Sequence, residues 1–164
     1  MAIRPLVLYP DPRLRQPATL VTVFDEALQA LVGDLLDTMR AAPGVGITGP
    51  HIGALWRVSV LELQPGEVRV YINPWITWAS DETQTHEEGS VCMPGAVETV
   101  TRPARVRVDY QDLTCTPVTE EAEGFLAVCL QHEIDQLDGM FWLQRLSRLK
   151  RERLVQKWEK LQKR

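Results

Sequence analysis

A histidine and a glutamate stand side by side in the segment HEIDQ, residues 132–136. In an α-helix, positions four apart lie on one face, and the pattern His-Glu-x-x-His uses that spacing to place two imidazoles on one metal ion beside a general base. His132 and Glu133 match the pattern, but Gln136 stands where the second histidine belongs. Half of this motif is a weak signal, and by itself it indicates an ordinary pair of helix residues rather than a metal centre.

Two further segments, GVGITGPHIG at 44–53 and EGSVCMPG at 88–95, give this histidine segment a context. Together with QHEIDQLDG at 131–139 they resemble, in order and spacing, the three signature motifs of peptide deformylases. Those motifs read Gly-x-Gly-Leu-Ala-Ala-x-Gln, Glu-Gly-Cys-Leu-Ser and Gln-His-Glu-x-Asp-His. The flanking segments that also match are YPDPRLR at 9–15, INP at 72–74, RP at 102–103 and RLS at 145–147. On this resemblance the chain is identified as a divergent member of the family.

The resemblance implies an α+β fold, with antiparallel sheets around a central helix of the HExxH type and with N-terminal and C-terminal helices. It also implies a reaction, the hydrolytic removal of the formyl group from the N-terminal methionine of newly made chains. In the family, an iron(II), zinc or nickel ion activates a water, held by the motif-two Cys and both motif-three His residues. The motif-three Glu transfers the proton, while the motif-one Gln and the backbone N–H after the Cys hold the oxyanion.

Carried over position by position, the resemblance retains part of this machinery. His132 takes the position of the first histidine ligand and Glu133 that of the general base, and Val91 supplies the oxyanion N–H. The resemblance places four further positions against the substrate. Val45 and Gly46 would contact it through their backbone, and Phe125 and Val128 would line the pocket for the methionine side chain. For the last two, ordinary packing in a helix core is an equally good interpretation.

Three positions depart from the family pattern. Ser90 replaces the cysteine ligand, Gln136 the second histidine ligand and His51 the oxyanion glutamine. A serine hydroxyl stays protonated near pH 7, and an amide oxygen suits hard cations rather than zinc or iron. Structural zinc sites bind with ~10–16 kcal/mol, so the loss of two ligands costs roughly 5–8 kcal/mol if ligands contribute additively. We therefore expect no tightly bound metal and weak or lost catalysis, with binding of formyl-methionyl chains retained.

A relocated metal site is the alternative. His51 and Cys92 introduce metal-binding side chains where the family has Gln and Ser, and with His132 they would make three ligands for an active deformylase or related amidase. Residues two apart in an extended strand share a face but are offset by about 6.8 Å. A zinc–sulfur bond is only ~2.3 Å long, so a metal bound by Cys92 would have to move away from the position that Ser90 faces.

The elements that must position these residues follow from hydrophobic periodicity. Leucines at helical spacing predict a helix over 24–41, ended by Pro43 and Gly44. A second helix, carrying HEIDQ, is predicted from Thr119 to Gln136, and a third from Ser147 onward. Alternating or apolar runs predict strands at 57–63, 68–73 and 105–112, and extended segments near 89–93 and 97–101, separated by Pro94-Gly95.

Composition bounds the class of protein. The chain has 164 residues, of which 45% are hydrophobic and 24% charged, as in one ordinary globular domain covering 1–164. The sequence has no apolar run of the length that a membrane span requires and no secretory leader pattern, so we expect a cytoplasmic protein without a membrane partner. Three cysteines, odd in number and widely spaced, do not suggest a disulfide framework.

Charge is distributed unevenly along the chain. Residues 1–147 hold 10 basic and 20 acidic residues, whereas residues 148–164 hold 8 basic and 2 acidic residues. Charge alone favours a solvated helix face for this tail, with an apolar stripe of Leu154, Trp158 and Leu161. In bacterial deformylases a basic C-terminal helix contacts the ribosome near the tunnel exit, so the resemblance implies that this helix meets ribosomal RNA. Three hypotheses remain: a non-catalytic binding protein, a remodelled metalloenzyme and a deformylase of low efficiency.

Overall fold

The computed structural model describes residues 2–163, so Met1 and Arg164 lie outside the described residues. Within that range the strands are β1 Gly46–Thr48, β2 Val58–Glu62, β3 Val68–Ala79, β4 Thr83–Ser90, β5 Met93–Pro103, β6 Arg105–Gln111 and β7 Pro117–Glu123. The helices are α1 Glu26–Ala41, α2 Gly124–Leu137 and α3 Arg148–Gln162, with short 3-10 helices at Pro12–Arg15, Gly49–Ile52 and Trp142–Arg145.

Every strand pair in the two sheets is antiparallel. The larger sheet has five strands in the order β1-β2-β3-β6-β7, and β4 and β5 form a separate two-stranded sheet. The register of the larger sheet is set by pairs such as Val58 with Ile72 and Ile47 with Val60, all of them buried in one apolar cluster. The predicted α+β class with antiparallel sheets is confirmed.

Helix α1 matches the predicted helix over 24–41. The Asp25 side chain caps it by accepting the Leu28 N–H at 3.1 Å, which satisfies one of the free donors of the first turn. Its leucine face packs on β1 and β2, so α1 covers one side of the sheet.

Helix α2 runs through the middle of the molecule, because every residue from 127 to 137 is buried. The predicted start of this helix at Thr119 is wrong, since residues 117–123 form β7 and pair with the whole of β6. Gly124, with φ +61, marks the break between strand and helix. The polar run Thr119–Glu123 looks like a helix N-terminus in sequence but lies on an exposed sheet edge, where cross-strand pairs such as Arg107–Glu121 stabilise it.

The smaller sheet corrects a second prediction. Pro94-Gly95 does not separate two extended segments, since both residues lie within β5. The chain reverses instead at Val91–Cys92, where Ser90 pairs with Met93. This hairpin places residue 90 at a turn beside α2.

Helix α3 begins after Ser147, whose hydroxyl accepts the Lys150 N–H at 3.2 Å. Leu154 and Trp158 are buried against the body, and Trp158 Nε1 donates to the Pro94 carbonyl at 2.8 Å. The predicted apolar stripe ends there, because Leu161 is 48% exposed. Among residues 2–163 there is no helix with the length and apolar character that crossing a bilayer requires.

Candidate functional site

A cavity of about 410 Å³ opens where β1, the β4–β5 turn and α2 meet. It brings together nine of the positions predicted from the sequence: Val45, Gly46, His51, Ser90, Val91, Phe125, Val128, His132 and Glu133. Two predicted positions, Cys92 and Gln136, do not line it. The three sequence motifs therefore converge on one site, although they are about 40 residues apart along the chain.

His132 is held by a buried chain of ion pairs. Its Nδ1 lies 2.9 Å from Glu88 Oε1, and Glu88 accepts two hydrogen bonds from Arg102. Burial alone would raise the pKa of Glu88, but the hydrogen bonds from His132 and Arg102 lower it to about 2. Because an ionised carboxylate only accepts, His132 carries its proton on Nδ1. Arg102 and Arg145 both bind Asp135, which extends the chain along α2.

His51 lies on the 3-10 helix that follows β1 and is 1% exposed. The Thr48 backbone N–H donates to His51 Nδ1 at 2.9 Å. Since a backbone N–H can only donate, Nδ1 is the acceptor and the neutral ring carries its proton on Nε2. Burial, with a smaller effect from the charge of His132, lowers the pKa of His51 to about 3, so the ring is neutral near pH 7. Nε2–H is a buried donor with no partner among the described residues.

Glu133 faces the cavity from α2 and is buried. Burial is the main cause that raises its pKa to about 7, and the nearby charge of Glu88 adds to the effect. Its Oε2 has no hydrogen-bond partner in residues 2–163, and His51 Nδ1, at 3.9 Å, is too distant to be one. The carboxyl group is therefore poised to exchange a proton near neutral pH.

The backbone of β1 forms one rim of the cavity. A Cβ at Gly46 would lie 2.9 Å from Glu133 Oε1 and 2.7 Å from a Leu61 methyl group, so only glycine fits beside the carboxyl group. The Val45 carbonyl accepts the Glu62 N–H of β2, and since successive residues of a strand face opposite edges, the Gly46 backbone faces the open edge of the sheet.

The side chains at the two substituted ligand positions make structural hydrogen bonds. Gln136 is 1% exposed, and its Nε2 donates to the Leu14 carbonyl at 2.8 Å, which ties α2 to the N-terminal segment. The Ser90 hydroxyl accepts the Cys92 N–H at 3.1 Å, which closes the β4–β5 turn. Both side chains thus hydrogen-bond to the backbone and stabilise the fold without any metal ion.

The donors at this site do not fit a bound metal ion. Cys92 packs in an apolar cluster with its sulfur 3.9 Å from the His51 carbonyl oxygen. Burial and the charge of Glu133 raise the pKa of this thiol, which keeps it protonated and a poor ligand. No group of three or more His, Cys, Asp or Glu side chains within residues 2–163 is placed to hold a metal. The structure therefore does not assemble the relocated site of His51, Cys92 and His132.

Two features of the site were not anticipated from the sequence. The backbone N–H of Thr48 sets the tautomer of His51. The sequence could not indicate this contact, because every residue but proline has a backbone N–H. The partnership of Glu88, Arg102 and Asp135 joins β4, β5 and α2. All three residues lie within or beside the matching motifs, but only the fold shows that they meet.

Comparison with known proteins shows which family has this sequence and fold. Residues 3–152 match the family model of polypeptide deformylase. A protein of Brucella suis called peptide deformylase-like is 62% identical over 99% of both chains, and a second Brucella suis protein, called peptide deformylase, is 39% identical over 98% of this chain and 94% of its own. A crystal structure of a peptide deformylase from Legionella pneumophila, 42% identical, superimposes with a TM-score of 0.90 over 99% of both chains. The chain belongs to the peptide deformylase family of hydrolases.

Proposed function

We propose that the protein binds the formyl-methionine end of newly made chains without removing the formyl group. One contrast within the site carries this proposal. The cavity is open and two of its buried polar atoms have no partner among the described residues, while the amide at the second ligand position, Gln136, bonds elsewhere. A site that keeps room for a ligand but lacks the donors for a metal is suited to binding rather than to hydrolysis.

Hydrolysis needs an activated water. In metallohydrolases the metal lowers the pKa of its bound water from ~15.7 to ~7. The pKa of Glu133, raised to about 7 by burial, is far too low to deprotonate a free water to a useful extent. We therefore infer that catalysis of formyl removal is weak or absent.

Recognition of a formamide uses the polar atoms that remain. The formyl oxygen would accept from His51 Nε2–H, a role that the family gives to glutamine. The formamide N–H would donate to the Glu133 carboxyl group, whose Oε2 needs a partner. Phe125 and Val128 give the methionine side chain an apolar wall, and the open edge of Gly46 pairs with the extended peptide.

The Brucella suis relatives support a role apart from catalysis. One organism holds both a peptide deformylase-like protein, 62% identical to this chain, and a peptide deformylase, 39% identical to it. A cell with a separate deformylase does not require the first protein to carry out the same reaction, which leaves it free to act by binding.

The test measures binding and hydrolysis separately. Calorimetry with formyl-Met-Ala-Ser should show saturable binding, and the same peptide without the formyl group should bind more weakly. A matched pair of variants isolates the donor, since His51→Gln keeps a hydrogen-bond donor and His51→Leu removes it. We expect His51→Leu to lose about tenfold or more in affinity, and His51→Gln to retain most of it.

Release of formate in the presence of added iron(II), zinc or nickel is the second measurement. The parent should release almost none, whereas the triple variant Ser90→Cys, Gln136→His, His51→Gln restores the family's residues and should gain measurable activity. Equal binding of both peptides would reject the binding role, and rapid formate release by the parent would reject the loss of catalysis.

We also propose that α3 brings the protein to the ribosome. Apart from Arg151, which is half-buried, its basic side chains are exposed, while Leu154 and Trp158 anchor the helix to the body. The body carries an excess of acidic residues, so an approach to RNA is favourable only with α3 in front. Such binding should weaken steeply with salt, because each phosphate contact releases a counterion.

A further inference from the structure

A second cavity, of about 260 Å³, lies apart from the first and shares no lining residue with it. It is open to solvent on one side and bordered by the N-terminal segment around Tyr9, the first and last 3-10 helices and the beginning of α3. The rings of Tyr9 and Phe141 stack at 5.6 Å between centroids, and both line the cavity. The proposed binding of formyl-methionine makes no use of this space.

Two arginines, Arg15 and Arg151, line the second cavity, and neither belongs to an ion pair in the part of the chain that the structure describes. Most other arginines of this chain do have a carboxylate oxygen within 4.0 Å: Arg4, Arg13, Arg40, Arg57, Arg69, Arg102, Arg107, Arg145 and Arg148. The cavity thus combines an exposed arginine, Arg15, and a half-buried one, Arg151, and the charge of neither is balanced by an ion pair within residues 2–163.

The position of Arg151 adds to this imbalance. It follows Arg148 and Lys150 at the start of α3, where the first turn contains no acidic residue. Cations at a helix N-terminus are unfavourable, because the aligned peptide dipoles already place positive charge there. Only Arg148 is offset by a carboxylate, that of Glu152. Within residues 2–163 no carboxylate oxygen lies within 4.0 Å of Arg151, so an anionic ligand would offset positive charge that the fold leaves uncompensated.

Among residues 2–163, Asp11 is the one carboxylate that lines the cavity, and it already has a partner. Arg13 Nη2 lies 2.8 Å from its Oδ2, and the Arg13 backbone N–H donates to its Oδ1 at 2.9 Å. Arg13 itself does not line the cavity. The charge of Asp11 is therefore neutralised by Arg13, and the net charge around the cavity remains positive.

We propose that this second cavity is a binding site for a phosphate group. Guanidinium groups bind phosphate oxygens through paired N–H donors, and a phosphate monoester carries a charge near −2 at pH 7, which balances both Arg15 and Arg151. A carboxylate ligand would balance only one of them. The side-chain amide of Gln144 offers a further donor, and the Tyr9 and Phe141 rings give an apolar wall to whatever the phosphate is attached to.

One wall of this site depends on the substituted ligand position of the first. Gln136 donates to the carbonyl of Leu14, the residue before Arg15, and so fixes the backbone that presents this arginine. The hydrogen bond gives the glutamine at position 136 a role in the fold that is independent of any metal.

The test is titration of the full-length protein with inorganic phosphate, followed by calorimetry at constant ionic strength. Arg15→Gln and Arg151→Gln should each raise the dissociation constant by about tenfold, since each removes charge-assisted hydrogen bonds. Arg153→Gln is the matched control, because this arginine is on the same helix, lacks an ion pair in residues 2–163 and lies outside the cavity. It should bind phosphate as the parent does.

Competition then distinguishes the sources of the phosphate. A short RNA that ends in a phosphate monoester and displaces inorganic phosphate from the parent indicates a nucleic-acid source of the group, and failure of this RNA to compete indicates a small phosphorylated molecule; either outcome supports the site. Equal affinity of the parent, Arg15→Gln and Arg151→Gln for phosphate overturns the proposal. Thermal midpoints in chloride buffer show whether the variants are folded, and two independent arginine variants guard against failure of one.

Discussion

Replacing Glu133 by glutamine should stabilise the protein much more at high pH than at low pH. Burial raises the pKa of this carboxyl group from 4.5 to about 7 in the folded state. The unfolded chain therefore loses the proton first as pH rises. The stability that comes from the protonated form is complete below pH 4.5, and it is lost as pH rises toward 7. Above that pH the folded protein holds a buried charge that glutamine would not have.

The magnitude follows from the two pKa values. A difference of one pH unit corresponds to ~1.4 kcal/mol, so a rise from 4.5 to about 7 costs the folded state about 3 kcal/mol once the group is ionised. At pH 5 most of this cost is absent, and about 1 kcal/mol remains. His51, whose pKa is lowered to about 3 by burial, lowers the free energy of unfolding as pH falls, because the ring takes up a proton in the unfolded chain first. It does so in parent and variant alike, so the difference between them isolates Glu133.

Urea unfolding at pH 5 and pH 8, followed by tryptophan fluorescence in the presence of EDTA, measures this difference. We expect Glu133→Gln to exceed the parent in free energy of unfolding by about 3 kcal/mol at pH 8 and by about 1 kcal/mol at pH 5. Glu67→Gln, at an exposed turn before β3, is the control for the same change of side chain at the surface. A difference between Glu133→Gln and parent that is the same at both pH values would refute the assignment of a buried, protonated carboxyl group.

Three other predictions follow from the same structure. Protein prepared without added metal should contain far less than one equivalent of iron, zinc or nickel, because Ser90 and Gln136 are committed to structural hydrogen bonds; near-stoichiometric metal in elemental analysis would contradict this. Gln136→Leu should lower the free energy of unfolding by about 1–3 kcal/mol, since the buried Leu14 carbonyl loses its donor, and a urea titration with an unchanged midpoint would count against it. Lys157→Glu with Lys160→Glu should abolish co-sedimentation with ribosomes at low salt without moving the thermal midpoint, whereas equal co-sedimentation of parent and variant would exclude α3 as the contact.

The sequence predicted the parts of this fold that local patterns determine. The leucine periodicity of α1 and the Ser147 cap of α3 are local signals, and both helices lie where these signals place them. The start of α2 was misplaced because Thr119–Glu123 is polar and acidic, as the first turn of a helix often is. Its pairing with β6 depends on residues that only the fold brings near.

The site shows the same division. Motif spacing was sufficient to predict that β1, the β4–β5 turn and α2 converge, and nine of the predicted positions line one cavity. Side-chain direction was not predictable, because it depends on long-range partners. Gln136 turns toward Leu14, 122 residues earlier, and Cys92 turns into an apolar cluster. Position in a motif therefore identified the candidates, and the hydrogen bonds decided which of them face the cavity.

The buried ion pairs around His132 do not by themselves show that a catalytic site has been kept. Removal of one partner from a buried ion pair costs about 3–5 kcal/mol, so Glu88, Arg102 and Asp135 are needed for stability whether or not a metal is ever bound. The cavity is different, because open space beside α2 forgoes packing. His51 Nε2 and Glu133 Oε2, which have no partner within residues 2–163, each cost roughly 1–3 kcal/mol. Folding alone gives no reason to keep those features. A ligand that accepts from His51 and donates to Glu133 would offset both costs, and for that reason the unsatisfied atoms, rather than the satisfied network, indicate a binding function.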